Sequence, residues 1–121
     1  MKNYKELDVW KNSRALVKEV YLITKAFPKE EQYGIISQMR RSAVSVPANI
    51  AEGHGRNHDK DSIQFFHISR GSLYELETLI ILATDLEYIN EKITVELLIK
   101  IETCRKLLNG LIRYFENKGV K

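Results

Sequence analysis

Apolar residues recur along this chain at alternating steps of three and four, the spacing that puts side chains on one face of an α-helix. Four such segments, separated by short polar breaks, predict helices over about 7–27, 31–54, 60–88 and 93–116. In the first, Val9, Leu16, Val20, Ile23 and Phe27 form the stripe, Trp10, Val17 and Tyr21 widen it, and Pro28 stops it. In the second, Ile36, Met39, Ala43, Val46 and Ile50 hold one phase straight through Pro47. That continuity favours one kinked helix over a strand ending at the proline. The Gly53–Gly55 pair should end it, glycine entering the left-handed region without a Cβ penalty. The third should be capped by Asp59 or Asp61 and seamed by Phe66, Ser69, Leu73, Leu76, Ile80 and Ala83. Its Leu79–Leu82 run covers every side of a helix, one side more than a bundle core uses, so an intermolecular contact is expected there. The fourth keeps Leu97, Ile101, Cys104, Leu108, Leu111 and Phe115 at bundle-seam spacing, and Asn117–Lys121 is expected to fray. Short connections imply antiparallel neighbours. The expected fold is all-α: a single-domain, antiparallel up-down-up-down four-helix bundle over residues 1–121.

Beside the apolar phase of the second segment runs a polar one: Gln38, Arg41, Ser45, Asn49, Glu52 and Arg56. Exposed helices usually carry Lys and Glu there. This stripe mixes Arg, Ser and Asn with small neighbours such as Ala48, Ala51 and Gly55, which suggests close helix packing with hydrogen-bonded polar contacts. Arg40 and Arg41 admit two readings. They can grip phosphate bidentately, or they can pair with Glu52, Glu75 and Glu77 within the bundle or between subunits, as arginines in natural bundles often do. On the second reading Gln38, Arg40, Arg41, Ser45, Asn49, Glu52, Arg56, Glu75 and Glu77 build a structural network or an oligomer interface.

Composition narrows the class. A chain of 121 residues, 44% hydrophobic and 29% charged, suits one globular domain and argues against disorder. A net charge of +3 permits a nucleic-acid partner without requiring one. Lys11, Arg14, Lys18 and Lys25 share one side of the first segment and could track a nucleic-acid backbone, although a solvated helix face has the same pattern. The lone Cys104 cannot form an internal disulfide and occupies a seam position. No secretory h-region or membrane-length apolar run is evident, so a cytoplasmic protein with no membrane contact is expected.

Catalytic signatures are missing. There is no glycine-rich phosphate loop, no GxSxG elbow, no HExxH, and no Arg followed four to six residues later by His. His54 and His58 have a metal-compatible spacing, but the glycines place them at a helix end with no third His or Cys near in sequence. No metal, no cofactor and no enzymatic activity are expected. The alternative is a metal-dependent nuclease or other enzyme using Glu52, Glu75 and Glu77.

The runs YKELDVW, FPKEEQYGIISQMRRSAVSVPANIAEGHGR and ISRGSLYELETLIILATDLEYI resemble the four-helix bundle proteins encoded in intervening sequences of bacterial 23S ribosomal RNA genes. The resemblance covers nearly the whole chain, and QMRRSAVSVPANIAEGHGR and GSLYELET are its specific parts. It implies a ring-like homopentamer. It also implies kinship with the accessory variability determinant of diversity-generating retroelements, a basic pentameric barrel that binds a reverse transcriptase and nucleic acid. The molecular role of most such proteins is not established. The expected function is therefore a non-enzymatic homo-oligomer that scaffolds RNA or a protein partner such as a reverse transcriptase.

Overall fold

The computed structural model describes residues 3–118. A short 3₁₀ turn at Tyr4–Glu6 leads into α1 (Asp8–Thr24), and a second at Lys29–Glu31 leads into α2 (Ile35–His54); α3 (Asp59–Asp85) and α4 (Glu91–Lys118) follow. No strand occurs among the described residues. Cross-helix bonds fix an antiparallel order. Ser69 on α3 reaches the Val46 carbonyl on α2 at 2.8 Å, Arg70 reaches Asn109 on α4 at 2.9 Å, and Lys100 on α4 pairs with Glu19 on α1. The result is the expected four-helix bundle. Its axis is filled by Leu16, Val20, Met39, Val46, Ile50, Phe66, Leu73, Leu76, Ile80, Ile101 and Leu108, all essentially without exposure. Phe66 meets Phe115 edge-on at 4.9 Å.

Several helix ends depart from the sequence expectation. α1 stops at Thr24, not at Phe27. The Thr24 hydroxyl donates back to the Val20 carbonyl at 2.8 Å, and the Ala26 and Phe27 N–H groups bond three residues back, tightening the last turn. Phe27 also precedes a proline, which disfavours helical backbone. α2 begins at Ile35, not at Glu31, because Glu31 is held in its own turn by the Tyr88 hydroxyl, which donates to Glu31 Oε2 at 2.8 Å.

α2 continues unbroken through Pro47 to His54. Neither Gly53 nor Gly55 enters the left-handed region, and Gly55 at the C-cap has φ −86° and ψ 0°. Gly53 lies inside the helix for another reason. A Cβ there would sit 2.6 Å from Phe66 Cε1 and 2.9 Å from the Ser62 carbonyl oxygen. Its missing side chain lets α3 approach.

α3 is capped by His58 in extended conformation, not by Asp59 or Asp61, which occupy the first turn and set negative charge against the helix N-terminus. Its far end is a left-handed cap built without glycine. Glu87 has φ 65°, the Tyr88 N–H donates to the Ala83 carbonyl, and the Glu87 N–H donates to the Thr84 carbonyl. Asn90 then accepts the Ile93 N–H at 2.8 Å and starts α4. Asn117 and Lys118 are helical and not frayed, with Lys118 paired to Asp59 at 3.2 Å; the rest of that expectation, 119–121, lies outside the described residues.

Candidate functional site

The α2–α3 seam is polar where it opens outward. Ser72 donates to the Ser45 hydroxyl at 2.8 Å, and the Asn49 amide donates to the Ser45 hydroxyl and carbonyl at 2.9 and 2.8 Å. Outside these bonds, Gln38, Arg41, Ser42, Ser45, Ser72 and Glu75 line an open groove of about 410 Å³. Ser45 and Asn49 are thus bonded to each other, while Gln38, Arg41 and Glu75 face the groove.

The remaining residues of the expected network are dispersed. Arg40 turns to the α1 side, where its Nε donates to Thr24 Oγ1 at 2.9 Å. Glu52 pairs with Arg56 one turn later at 2.8 Å, both exposed, and Arg56 covers the Phe65 ring. Glu77 pairs with Arg105 on α4 at 3.5 Å. Among the described residues, no ion pair within the chain joins Arg40 or Arg41 to Glu52, Glu75 or Glu77. The reason is angular. Glu75 and Glu77 are two apart on one helix and point to opposite sides, so Glu77 reaches α4 while Glu75 stays on the α2 side.

Sequence reasoning missed Arg105. It donates to the Glu77 and Glu102 carboxylates and lies 4.7 Å over the Tyr74 ring. Burial opposes its charge, but the Glu102 hydrogen bond and the two carboxylates outweigh that and raise its pKa. The i,i+3 spacing of Glu102 and Arg105 was the available signal.

A second stripe at helical spacing runs down the outer side of α3: Ile68, Ser72, Glu75, Leu79, Leu82 and Leu86. Leu79 is buried, while Ile68, Leu82 and Leu86 are 51%, 45% and 52% exposed. Ser72 and Glu75 of this stripe line the α2–α3 groove; Ile68 stands about one turn before Ser72 on the same face, and Leu82 and Leu86 about two and three turns beyond Glu75. Of Leu79–Leu82, Leu79 and Ile80 turn inward; Ile81 and Leu82 face out.

On α1, Lys11, Arg14 and Lys18 are exposed and line a shallow groove with Ala15. Lys25 follows at the helix C-cap, also exposed. His54 ends α2 and His58 precedes α3; among the described residues no group of three metal-ligating side chains forms. Cys104 is buried, which pushes its thiol up to about 11. None of the described helices is long and apolar enough to cross a membrane.

The family model described as 23S rRNA-intervening sequence protein matches residues 5–110. A solved structure of a protein with unknown function from the S23 ribosomal protein family of Bacteroides thetaiotaomicron is similar, with a TM-score of 0.79 over 87% of this chain and 95% of that chain. The two are 23% identical, so the likeness is one of fold. No curated protein matches the chain.

Proposed function

The chain belongs to the 23S rRNA-intervening sequence protein family, whose function is unknown, and we propose that it acts as a non-enzymatic homo-oligomeric scaffold for RNA or a protein partner. The observation that carries this reading is the outer face of α3. Ile68, Leu82 and Leu86 are half-exposed on the stripe that carries Glu75, and Arg41 and Glu75 in the groove have no ion-pair partner among the described residues. A second copy seated there removes apolar surface from water and offers each charge a counterpart. Full burial of a Leu or Ile side chain contributes about 1.5–3 kcal/mol, so three half-exposed ones offer a total of about half of three such terms. The charges select the matching surface more than they add affinity. The resemblance to ring-forming proteins supports five copies. The exposed Lys11, Arg14, Lys18 and Lys25 stripe supports contact with RNA phosphates, and a reverse transcriptase is the protein partner the resemblance suggests.

Light scattering at micromolar concentration tests the assembly. The wild type should run as a multiple of 14.1 kDa, and Leu82→Glu should run as a monomer with unchanged helical circular dichroism, because Leu82 is outside the core. A monomeric wild type refutes the assembly reading. RNA affinity that does not fall between low and moderate salt refutes the role given to the α1 lysines.

A further inference from the structure

The α1-facing side of α2 carries different chemistry. With Tyr21 of α1 and the turn before α2 it frames an open groove of about 660 Å³ whose walls include Tyr33, Ser37, Arg40 and Val44, and which meets the α2–α3 groove at Arg41 and Ser45. Arg40 is half-buried and held from two directions. Its Nε donates to Thr24 Oγ1, and its guanidinium lies 4.5 Å over the Tyr21 ring. Thr24 is itself 1% exposed and bonded to the Val20 carbonyl, so the anchor is fixed. Arg40 has no ion-pair partner among the described residues, and its two terminal nitrogens remain available as a fork of N–H donors. A guanidinium already immobilised loses little entropy when it binds an anion.

Tyr33 supplies the second element. It is 94% exposed, with nothing covering its ring. The turn that carries it is tied on either side: the Gly34 N–H bonds the Glu31 carbonyl at 3.0 Å, and the Tyr88 hydroxyl donates to the Glu31 carboxylate. The third element is continuity. Arg14, Lys18, Tyr21 and Lys25 recur on α1 at steps of four, three and four, so the basic stripe and the ring beneath Arg40 share one face.

We propose that this groove binds single-stranded RNA. Arg40 donates to a backbone phosphate, Tyr33 stacks on an unpaired base, and Lys18 and Lys25 flank the strand as it enters. The uncovered aromatic face distinguishes this from duplex binding, because only an unpaired base offers a free face to stack on. An acidic peptide could meet Arg40 but would have no use for Tyr33 as a stacking platform. The proposal rests on the reading that RNA is a partner, and adds which form of RNA binds and where.

Fluorescence anisotropy on the full chain, with a labelled dodecamer oligoadenylate and an RNA duplex of equal length, tests it. Tyr33→Ala should weaken oligoadenylate binding by roughly five- to a hundredfold and leave duplex binding within about twofold. Tyr33 packs on nothing in the core, so this variant folds. Arg40→Lys, which keeps the charge and loses the fork, should weaken oligoadenylate binding about tenfold. If both variants bind as the wild type does while a Lys11→Ala, Lys18→Ala double variant loses affinity, the groove is not the site and the α1 reading stands. If Tyr33→Ala weakens both RNAs equally, stacking is refuted. If the wild type binds neither RNA, the groove and the RNA reading fall together.

Discussion

Gly53→Ala should destabilise the protein even though it replaces glycine inside a helix. The added Cβ would sit 2.6 Å from Phe66 Cε1, 2.9 Å from Phe66 Cδ1 and 2.9 Å from the Ser62 carbonyl oxygen. Ordinary carbon contacts lie at about 3.5–4.0 Å, so α2 and α3 must separate locally by about 1 Å. Phe66 is fully buried and packed edge-on against Phe115, and the Ser62 oxygen is backbone, so neither can yield alone. Overpacking of this kind costs about 1–3 kcal/mol, and two rigid contacts point to the upper end. Against it stands the helix propensity of alanine, about 1 kcal/mol better than glycine. The net expectation is a loss of about 2 kcal/mol, or about 8 °C in Tm for a chain of this size. Gly71→Ala is the matched control. Gly71 is also inside a helix, but a Cβ there meets nothing within 4 Å, so only the propensity gain applies. It should stabilise by about 1 kcal/mol. Urea unfolding of the three proteins at one concentration decides the matter. A Gly53→Ala variant as stable as the Gly71→Ala variant would show that the α2–α3 approach is not limited by this contact.

Glu87→Gly should raise stability by about 1 kcal/mol, because a residue with a Cβ is strained at φ 65° and glycine is not; a lower urea midpoint would refute this. Cys104 imposes a pH dependence. Its folded thiol, raised to about 11 by burial, stays protonated while the thiol of the unfolded chain, near its ordinary value of 9.0, ionises. Stability from this group is therefore complete below about pH 9 and is lost as pH rises toward about 11. Comparing urea midpoints of wild type and Cys104→Ala at about pH 8 and about pH 10 should show the difference between them shrinking at the higher pH, and an unchanged difference would contradict the burial argument.

The hydrophobic period was enough to read the bundle, because Phe66, Ser69, Leu73, Leu76, Ile80 and Ala83 all occupy the core that their spacing assigns them. It also carried α2 through Pro47. Ends were less legible, since they depend on contacts between distant segments. Glu31 is drawn out of α2 by Tyr88, a residue 57 positions away. The left-handed cap at Glu87 gives no glycine to read. The polar stripe was visible as a pattern, yet its partners were not. Arg40 found Thr24, and Glu77 found Arg105, because side-chain pairing follows the angle around each helix and the stagger between helices, neither of which a linear spacing states. The groove between Tyr33 and Arg40 was hidden for the same reason: Tyr33 lies in a turn that the sequence assigns to the helix.

A seam of Leu and Ile at heptad spacing is nearly indifferent to axial slip, since moving one helix by a turn, about 5.4 Å, puts a like residue in place of a like one. The α2–α3 pair is not indifferent. Slip by one turn takes Ser69 away from the Val46 carbonyl and Ser72 away from Ser45, and it drives Phe66 off the gap at Gly53 against residues that have a Cβ. Each hydroxyl stranded in the seam costs about 1–3 kcal/mol. The small residues Ser45, Gly53, Ser69 and Ser72 therefore act as a vernier, leaving the hairpin one alignment. The placement of Arg41 and Glu75 along one groove is thus decided largely by atoms buried beneath it, at Val46, Gly53, Phe66 and Ser69.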